Sequence, residues 1–164
     1  MNNRESKIAL GGGCHWCTEA VFQALKGVSE VKQGYVASTG LNNDFSEAVI
    51  VCFDEEIIPL AVLIEIHLHT HKSSANHSFR TKYRSAVYYF SKEQGQKAQH
   101  TITGLQPQFP QQLITQVLPF SEFKASRDSL LNYYHTDPEK PFCKRYIHPK
   151  LTLLKEQFKS RTLV

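Results

Sequence analysis

The hydrophobic pattern of this chain changes period several times, and each change predicts an element. Lys7 to Leu10 is a short apolar run that stops at Gly11, which predicts a strand. From Trp16 the spacing turns helical: Trp16, Ala20 and Ala24 fall on one side with Val21 and Leu25 beside them, and Gly27 stands where a left-handed helix stop is expected. Val31 to Val36 predicts a second strand, followed by the polar loop ASTGLNND. Ser46 to Phe53, SEAVIVCF, is β-branched and apolar on both faces, the pattern of an interior strand. Pro59 opens a helix that puts Leu60, Leu63, Ile64, His67 and Leu68 on one face. Tyr83 to Phe90 predicts another strand, and Ser91 with Gln94 forms a capping-box signature for the helix after it. LITQVLPF, beyond the loop LQPQFPQQ, predicts one more strand, and from Ser121 onward the chain reads as irregular with some helix and no clear period.

Strand, helix, strand, strand, helix, strand predicts an α+β fold: a two-layer βαββαβ plait, ferredoxin-like at its core, with a long irregular C-terminal extension. The 164 residues suit one domain spanning 1–164. Hydrophobic residues make up 41% and charged residues 21%, ordinary for a soluble globular chain. No apolar stretch approaches the ~20 residues needed to cross a bilayer, and MNNRESKIAL has too short an apolar segment for a secretion signal. No membrane association, a cytoplasmic location and a monomer are therefore expected. The net charge of +4 is dispersed except in HPKLTLLKEQFKSR, which reads as a solvated helix face. Nucleic acid is not an expected partner, because that would need a denser basic stripe or base-stacking aromatics.

Chemistry concentrates in GGGCHWCTEA, Gly11 to Ala20. If the glycines end a strand and Trp16 lies in a helix, Cys14 sits at the helix N-terminus, where free amides and the helix dipole should lower its thiol pKa. The glycines allow a sharp turn and leave room for another molecule to approach. A thiolate at such a corner is a nucleophile or a redox centre. Phosphate binding is disfavoured, since no Lys-Ser or Lys-Thr follows the glycines. A zinc site needs a second ligand pair, which Cys52 and Cys143 do not form; of His67, His69 and His71, only the first and last share a helix face. No metal and no cofactor is expected. A disulfide shuttle using Cys14 and Cys17 remains open, as does a non-catalytic small-ligand binder. Cys52, mid-strand among apolar neighbours, reads as an inert core residue.

Gly13-Cys14-His15-Trp16-Cys17 resembles the Gly-Cys-Phe-Trp hallmark of the type A peptide methionine sulfoxide reductases, often followed there by a second cysteine. TEAVFQALKGVSEVKQGYVAS is similar to that family's helix and Gly-Tyr segment, FSEAVIVCFD to its His-Ala-Glu strand, TKYRSAVYY to its Gln-Tyr-Arg-Ser-Ala strand, and EKPFCKRYIHPKL to its C-terminal Pro-Tyr-Cys-Arg-Tyr segment. The resemblance runs from about Ile8 to Leu154 and implies reduction of the S-epimer of methionine sulfoxide, free or in proteins. It puts Cys14 in the nucleophile's place, Glu47 on the catalytic carboxyl, and Tyr35 and Tyr83 on two active-site tyrosines. Glu47 shares a strand face with Val49, Val51 and Phe53, where burial would keep it protonated to serve the sulfoxide oxygen. Cys17, one helical turn on, is the expected first resolving thiol, with Cys143 as relay or substitute. Thioredoxin or a similar dithiol would restore the enzyme. Trp16, with His15, would wall the pocket for the substrate methyl group.

The chain departs from the family pattern at several points. His15 replaces the Phe; an uncharged imidazole can still stack on a methylsulfinyl group, and a protonated one would hold the Cys14 thiolate. Ser46 replaces a common His. SSANHSFRTKY lacks the Asp usual in that loop, and Ser129-Leu130-Leu131 stands where the family has Tyr-His-Gln.

Overall fold

The computed structural model describes residues 5–75 and 82–163. Strand β1 (Glu5–Gly11) leads into helix α1 (His15–Gln23), then β2 (Val28–Ala37), β3 (Ser46–Asp54), α2 (Leu60–Thr70), β4 (Ala86–Tyr89) and α3 (Lys92–Leu105). Two short strands, β5 (Gln116–Pro119) and β6 (Glu122–Ala125), precede α4 (Tyr133–Thr136), a π-helical turn (Cys143–Ile147) and α5 (His148–Gln157). The fold is α+β, with one six-stranded sheet in the order β5-β4-β1-β3-β2-β6. All pairings are antiparallel except β4 with β5.

Period-2 alternation divides the sheet. On one face Ile8, Leu10, Val49, Val51, Phe53 and Val87 form the main core with Val21 and Phe22 of α1, Leu63 and Ile64 of α2, and Ile102 of α3. Burying each such side chain stabilises the fold by about 1.5–3 kcal/mol. The other face carries smaller residues, Ala9, Ala48 and Ala86, beside Val36, Ile50 and Tyr88, with Phe90, Phe120 and Phe123 packed against them. Cys52 is buried mid-strand, as its apolar neighbours suggest.

Several boundaries differ from the sequence expectation. Helix α1 ends at Gln23, four residues before Gly27, because the chain's C-terminal end pairs with its exit: Leu163 N–H donates to the Ala24 carbonyl (2.9 Å) and Lys26 N–H to the Arg161 carbonyl (2.8 Å). Gly27 does adopt a positive φ (92°), but in the turn into β2. The strand expected from Tyr83 begins only at Ala86. Ser46 intervenes there: its hydroxyl donates to the Lys82 carbonyl (2.9 Å) and accepts from the Arg84 amide (2.7 Å), replacing ladder pairing with side-chain anchoring. Ser91 caps α3 as expected, accepting from Gln94 N–H, while the Gln94 side chain accepts from Phe90 N–H rather than Ser91. The C-terminal part is less irregular than expected in that β6 pairs with β2, while α5 runs for ten residues within the stretch HPKLTLLKEQFKSR read as a helix face.

Candidate active site

Cys14 and Cys17 occupy the first turn of α1 because the chain leaves β1 through Gly12 and Gly13 and turns straight into helix. Cys14 is the N-cap residue (φ −60°, ψ 128°), and its carbonyl accepts from the amides of Cys17 (3.1 Å) and Thr18 (3.3 Å). A Cβ at Gly12 would collide with the His71 ring, so this glycine makes room for a residue of its own chain and not for an incoming molecule. Gly13 is the open side, with nothing within 4 Å of its missing Cβ.

Cys14 is half-buried and Cys17 buried, and their thiols form a hydrogen-bonded pair. That hydrogen bond from Cys17, together with burial, pushes the Cys14 thiol up, while the Trp16 amide acts the other way. The same hydrogen bond pulls Cys17 down against its burial, helped by the charge of Lys150. The expectation that Cys14 itself is the acidic thiol is therefore corrected: the pair releases its first proton easily and its second with difficulty, and the charge rests on Cys17 when Cys14 holds the shared proton. Lys150 reaches this place from α5. Its ammonium donates to the Thr70 carbonyl, and burial pushes its pKa down. Behind the two sulfurs a cavity of about 40 Å³ is bounded by Cys14, Cys17, Val21, His67, His71 and Lys150. It is large enough to hold water beside the thiols.

Glu47, close enough for its charge to act on the Cys14 thiol, is the second residue of β3 and 7% exposed. Oε1 accepts the His15 backbone N–H at 3.1 Å and lies 3.5 Å from His15 Nε2, and Oε2 lies 3.7 Å from Lys82 Nζ. The carboxyl is thus buried as expected, but among donors and a cation instead of an apolar wall. Tyr35 is Glu47's direct partner across the β2–β3 ladder, so the two side chains share a sheet face. Tyr83 is half-buried and holds the Lys82 ammonium; this contact first, then the charge of Glu47, raises the Lys82 pKa. His15 is not a pocket wall. It is 3% exposed, with Nδ1 2.7 Å from the Gly34 carbonyl and its ring edge-on to Tyr35 at 5.1 Å. Both ring nitrogens therefore face Gly34 and Glu47, and neither is turned to the Cys14 thiol.

The C-terminal segment closes the site from above. Trp16 stacks flat on Tyr133 (centroids 3.9 Å, 3° apart) and meets Phe142 edge-on at 5.3 Å. Buried Glu19 clamps this segment by accepting the amides of Asn132 (3.0 Å) and Tyr133 (3.2 Å) and the Gln33 side-chain amide (3.0 Å). Cys143 is fully buried in one cluster with Cys17, Ala20 and Ile147, with Cys14 packed against it, and its Sγ donates to the Asp137 carbonyl (3.5 Å).

Sequence reasoning missed Lys82, Lys150 and Glu19. Lys82 had a signal, standing beside Tyr83 where the resembling family has Gln. Lys150 lay hidden in a segment read as a solvated face. His67 and His71 do stack on each other (4.2 Å), but they bond to the Gly11 carbonyl and the Ser85 hydroxyl, while His69 stacks on Phe109. Among the described residues no group of three or more His, Cys, Asp or Glu could hold a metal ion. The segment SSANHSFRTKY lies partly outside the described residues, so the missing loop Asp has no structural account.

The family model described as peptide methionine sulfoxide reductase matches residues 6–162. Curated relatives include the peptide methionine sulfoxide reductase MsrA of Psychrobacter, 34% identical over 93% of this chain and 95% of its own length. The MsrA of Thermus thermophilus is also 34% identical, over 95% and 97%. Among solved structures, Mxr1 from Saccharomyces cerevisiae in reduced form superposes with a TM-score of 0.75 at 20% identity, covering 87% of this chain and 91% of that one. Mxr1 in complex with Trx2 superposes at 0.63 with 19% identity, covering 77% and 84%. With a match over nearly its whole length, this chain belongs to the peptide methionine sulfoxide reductase family and is an oxidoreductase that reduces methionine sulfoxide.

Proposed function

We propose that the reaction runs on Cys14, with the S-epimer of methionine sulfoxide, free or in proteins, as substrate. The observation that carries this reading is the placement of Glu47 against the backbone of the residue after Cys14, His15 N–H to Oε1 at 3.1 Å, with Tyr35 opposite on the same sheet face. Transfer of the shared proton to Cys17 puts the thiolate on Cys14. The thiolate attacks the sulfoxide sulfur, one proton reaches the sulfoxide oxygen, and the oxygen passes to Cys14. The products are methionine and a Cys14 sulfenic acid, so sulfur in the substrate is reduced and Cys14 oxidised. Glu47 serves as the acid, and Tyr35 and Tyr83 donate hydrogen bonds to the developing oxyanion. Trp16 and His15 shape the site from behind, through Tyr133 and through Glu47. The Cys17 thiol then attacks the sulfenic sulfur, forming a Cys14–Cys17 disulfide and releasing water. Cys143 lies in the same cluster and takes over the disulfide, and a dithiol protein of the thioredoxin class reduces it.

In this reading residues 1–164 form one catalytic domain, monomeric and without cofactor. The order β4-β1-β3-β2 is the ferredoxin-like plait, with β5, β6 and the C-terminal helices as additions. The compartment is reducing, as in cytoplasm, where four free thiols persist.

A methionine-release assay with a methionine sulfoxide substrate and dithiothreitol tests the assignment. Cys14→Ser is expected to abolish turnover and Cys17→Ser to spare it with dithiothreitol while slowing it with thioredoxin. Glu47→Gln should lower kcat by about 10²–10⁴-fold. Turnover surviving in Cys14→Ser contradicts the assignment, and reduction of protein disulfides without methionine release assigns the cysteines to a disulfide shuttle.

A further inference from the structure

From the contacts of His15 we infer that His15 and Glu47 hold one proton in common, making His15 the positioning residue that keeps Glu47 supplied as an acid. This rests on the reading of Glu47 as proton donor. A carbonyl only accepts, so Nδ1, 2.7 Å from the Gly34 oxygen, carries a hydrogen. The Gly34 backbone lies tightly against β6, where a Cβ would collide with the Lys124 carbonyl. With Nδ1–H committed, Nε2 alone faces Glu47 Oε1 at 3.5 Å, an ion-pair separation that a small closure on substrate turns into a hydrogen bond. Without a proton between them, a nitrogen lone pair would oppose a carboxylate oxygen inside a buried site. One proton resolves the conflict, either as imidazolium and carboxylate or as imidazole and carboxylic acid.

The surroundings make the device necessary. Glu47 accepts the His15 amide at Oε1 and has the Lys82 ammonium 3.7 Å from Oε2. A bare carboxylate is a poor acid and would repel the Cys14 thiolate. The His15–Glu47 pair with its proton is neutral overall and stands beside a thiolate without that penalty. The other groups facing the pair are the Tyr35 ring, edge-on to His15, and Tyr83, reached through Lys82. In the reaction the proton leaves Glu47 for the sulfoxide oxygen, His15 Nε2 gives up its hold, and solvent reloads the pair.

The test is the pH profile of kcat/KM with free methionine sulfoxide and dithiothreitol for the native enzyme, His15→Phe and His15→Gln. The alkaline limb, where the shared proton is lost, is expected to fall by about one pH unit in both variants, with kcat about tenfold lower above that limb and KM little changed. Profiles that superimpose on the native one overturn the inference, and so does rescue by Gln, which restores hydrogen bonding without a transferable proton. If the native enzyme gives no methionine, the reading of Glu47 fails instead. Nitrogen-15 histidine spectra of the native protein and Glu47→Gln then still judge the pair. The expected signature is a protonated Nδ1 with an Nε2 titration that shifts on removing the carboxylate; an Nε2 indifferent to Glu47→Gln contradicts it.

Discussion

Cys14, Cys17 and Cys143 meet in one apolar cluster, and the hydrogen bond between the first two, helped by the charge of a lysine beside them, sets where their charge lies. Lys150 is half-buried at the edge of the cavity behind the thiols, and its field favours the Cys17 thiolate, hence the first ionisation of the pair. Because that ionisation is lowered, the pair reacts as thiolate from a lower pH than a free cysteine would. Lys150→Met should therefore move the midpoint of iodoacetamide alkylation of the reduced enzyme upward by about one pH unit and slow it roughly tenfold below the native midpoint. An unchanged midpoint removes Lys150 from the account. The thiols were legible in the sequence because Cys14 and Cys17 stand one turn apart after a glycine run. Lys150 was not, since its burial arises only from the packing of α5 near α1, and local pattern makes it one more cation on a basic helix. His15 was legible as a departure from Phe but not as a partner of Glu47, because that contact joins the start of a helix to the start of a strand 32 residues away.

Ser46 shows how one hydroxyl sets an element's boundary. It ties Lys82 and Arg84 to the head of β3, next to Glu47, whose own amide donates to the Lys82 carbonyl at 3.0 Å. Ser46→Ala would leave the Arg84 amide without this buried acceptor. It should destabilise the fold by about 1–3 kcal/mol and lower Tm by on the order of 3–10 °C in a thermal melt. A melt within 1 °C of native (well below ~2 °C per kcal/mol) would argue that the 82–85 segment is held by other contacts. The interior strand β3 was readable because every position from Ser46 to Phe53 is buried and the run is β-branched. Tyr83 to Phe90 looked equally continuous, and long-range anchoring of residues 82–85, by Ser46 and by the bonds of the Ser85 hydroxyl to His71 and Thr115, shortens it. The four-residue strand β6, EFKA, carries no alternation strong enough to announce itself and exists because β2 offers it an edge.

At the scale of the whole molecule, the sheet and helices α1–α3 form a platform, and the C-terminal segment folds back across it. Glu19 fixes the segment at Asn132 and Tyr133, Trp16 stacks under Tyr133, and Leu25 bridges Thr162 near the chain end. The segment therefore brings Cys143 and Lys150 to the α1 cysteines. The account's central claim is that Cys14 takes the oxygen from the substrate. The most direct measurement is a single turnover of the Cys17→Ser, Cys143→Ser double variant with methionine sulfoxide and no reductant, followed by mass spectrometry of the peptide containing residue 14. The account predicts about one equivalent of methionine per enzyme and one added oxygen, trapped as sulfenic acid, on Cys14. Methionine released with Cys14 unmodified, or no methionine from a folded protein, would contradict it.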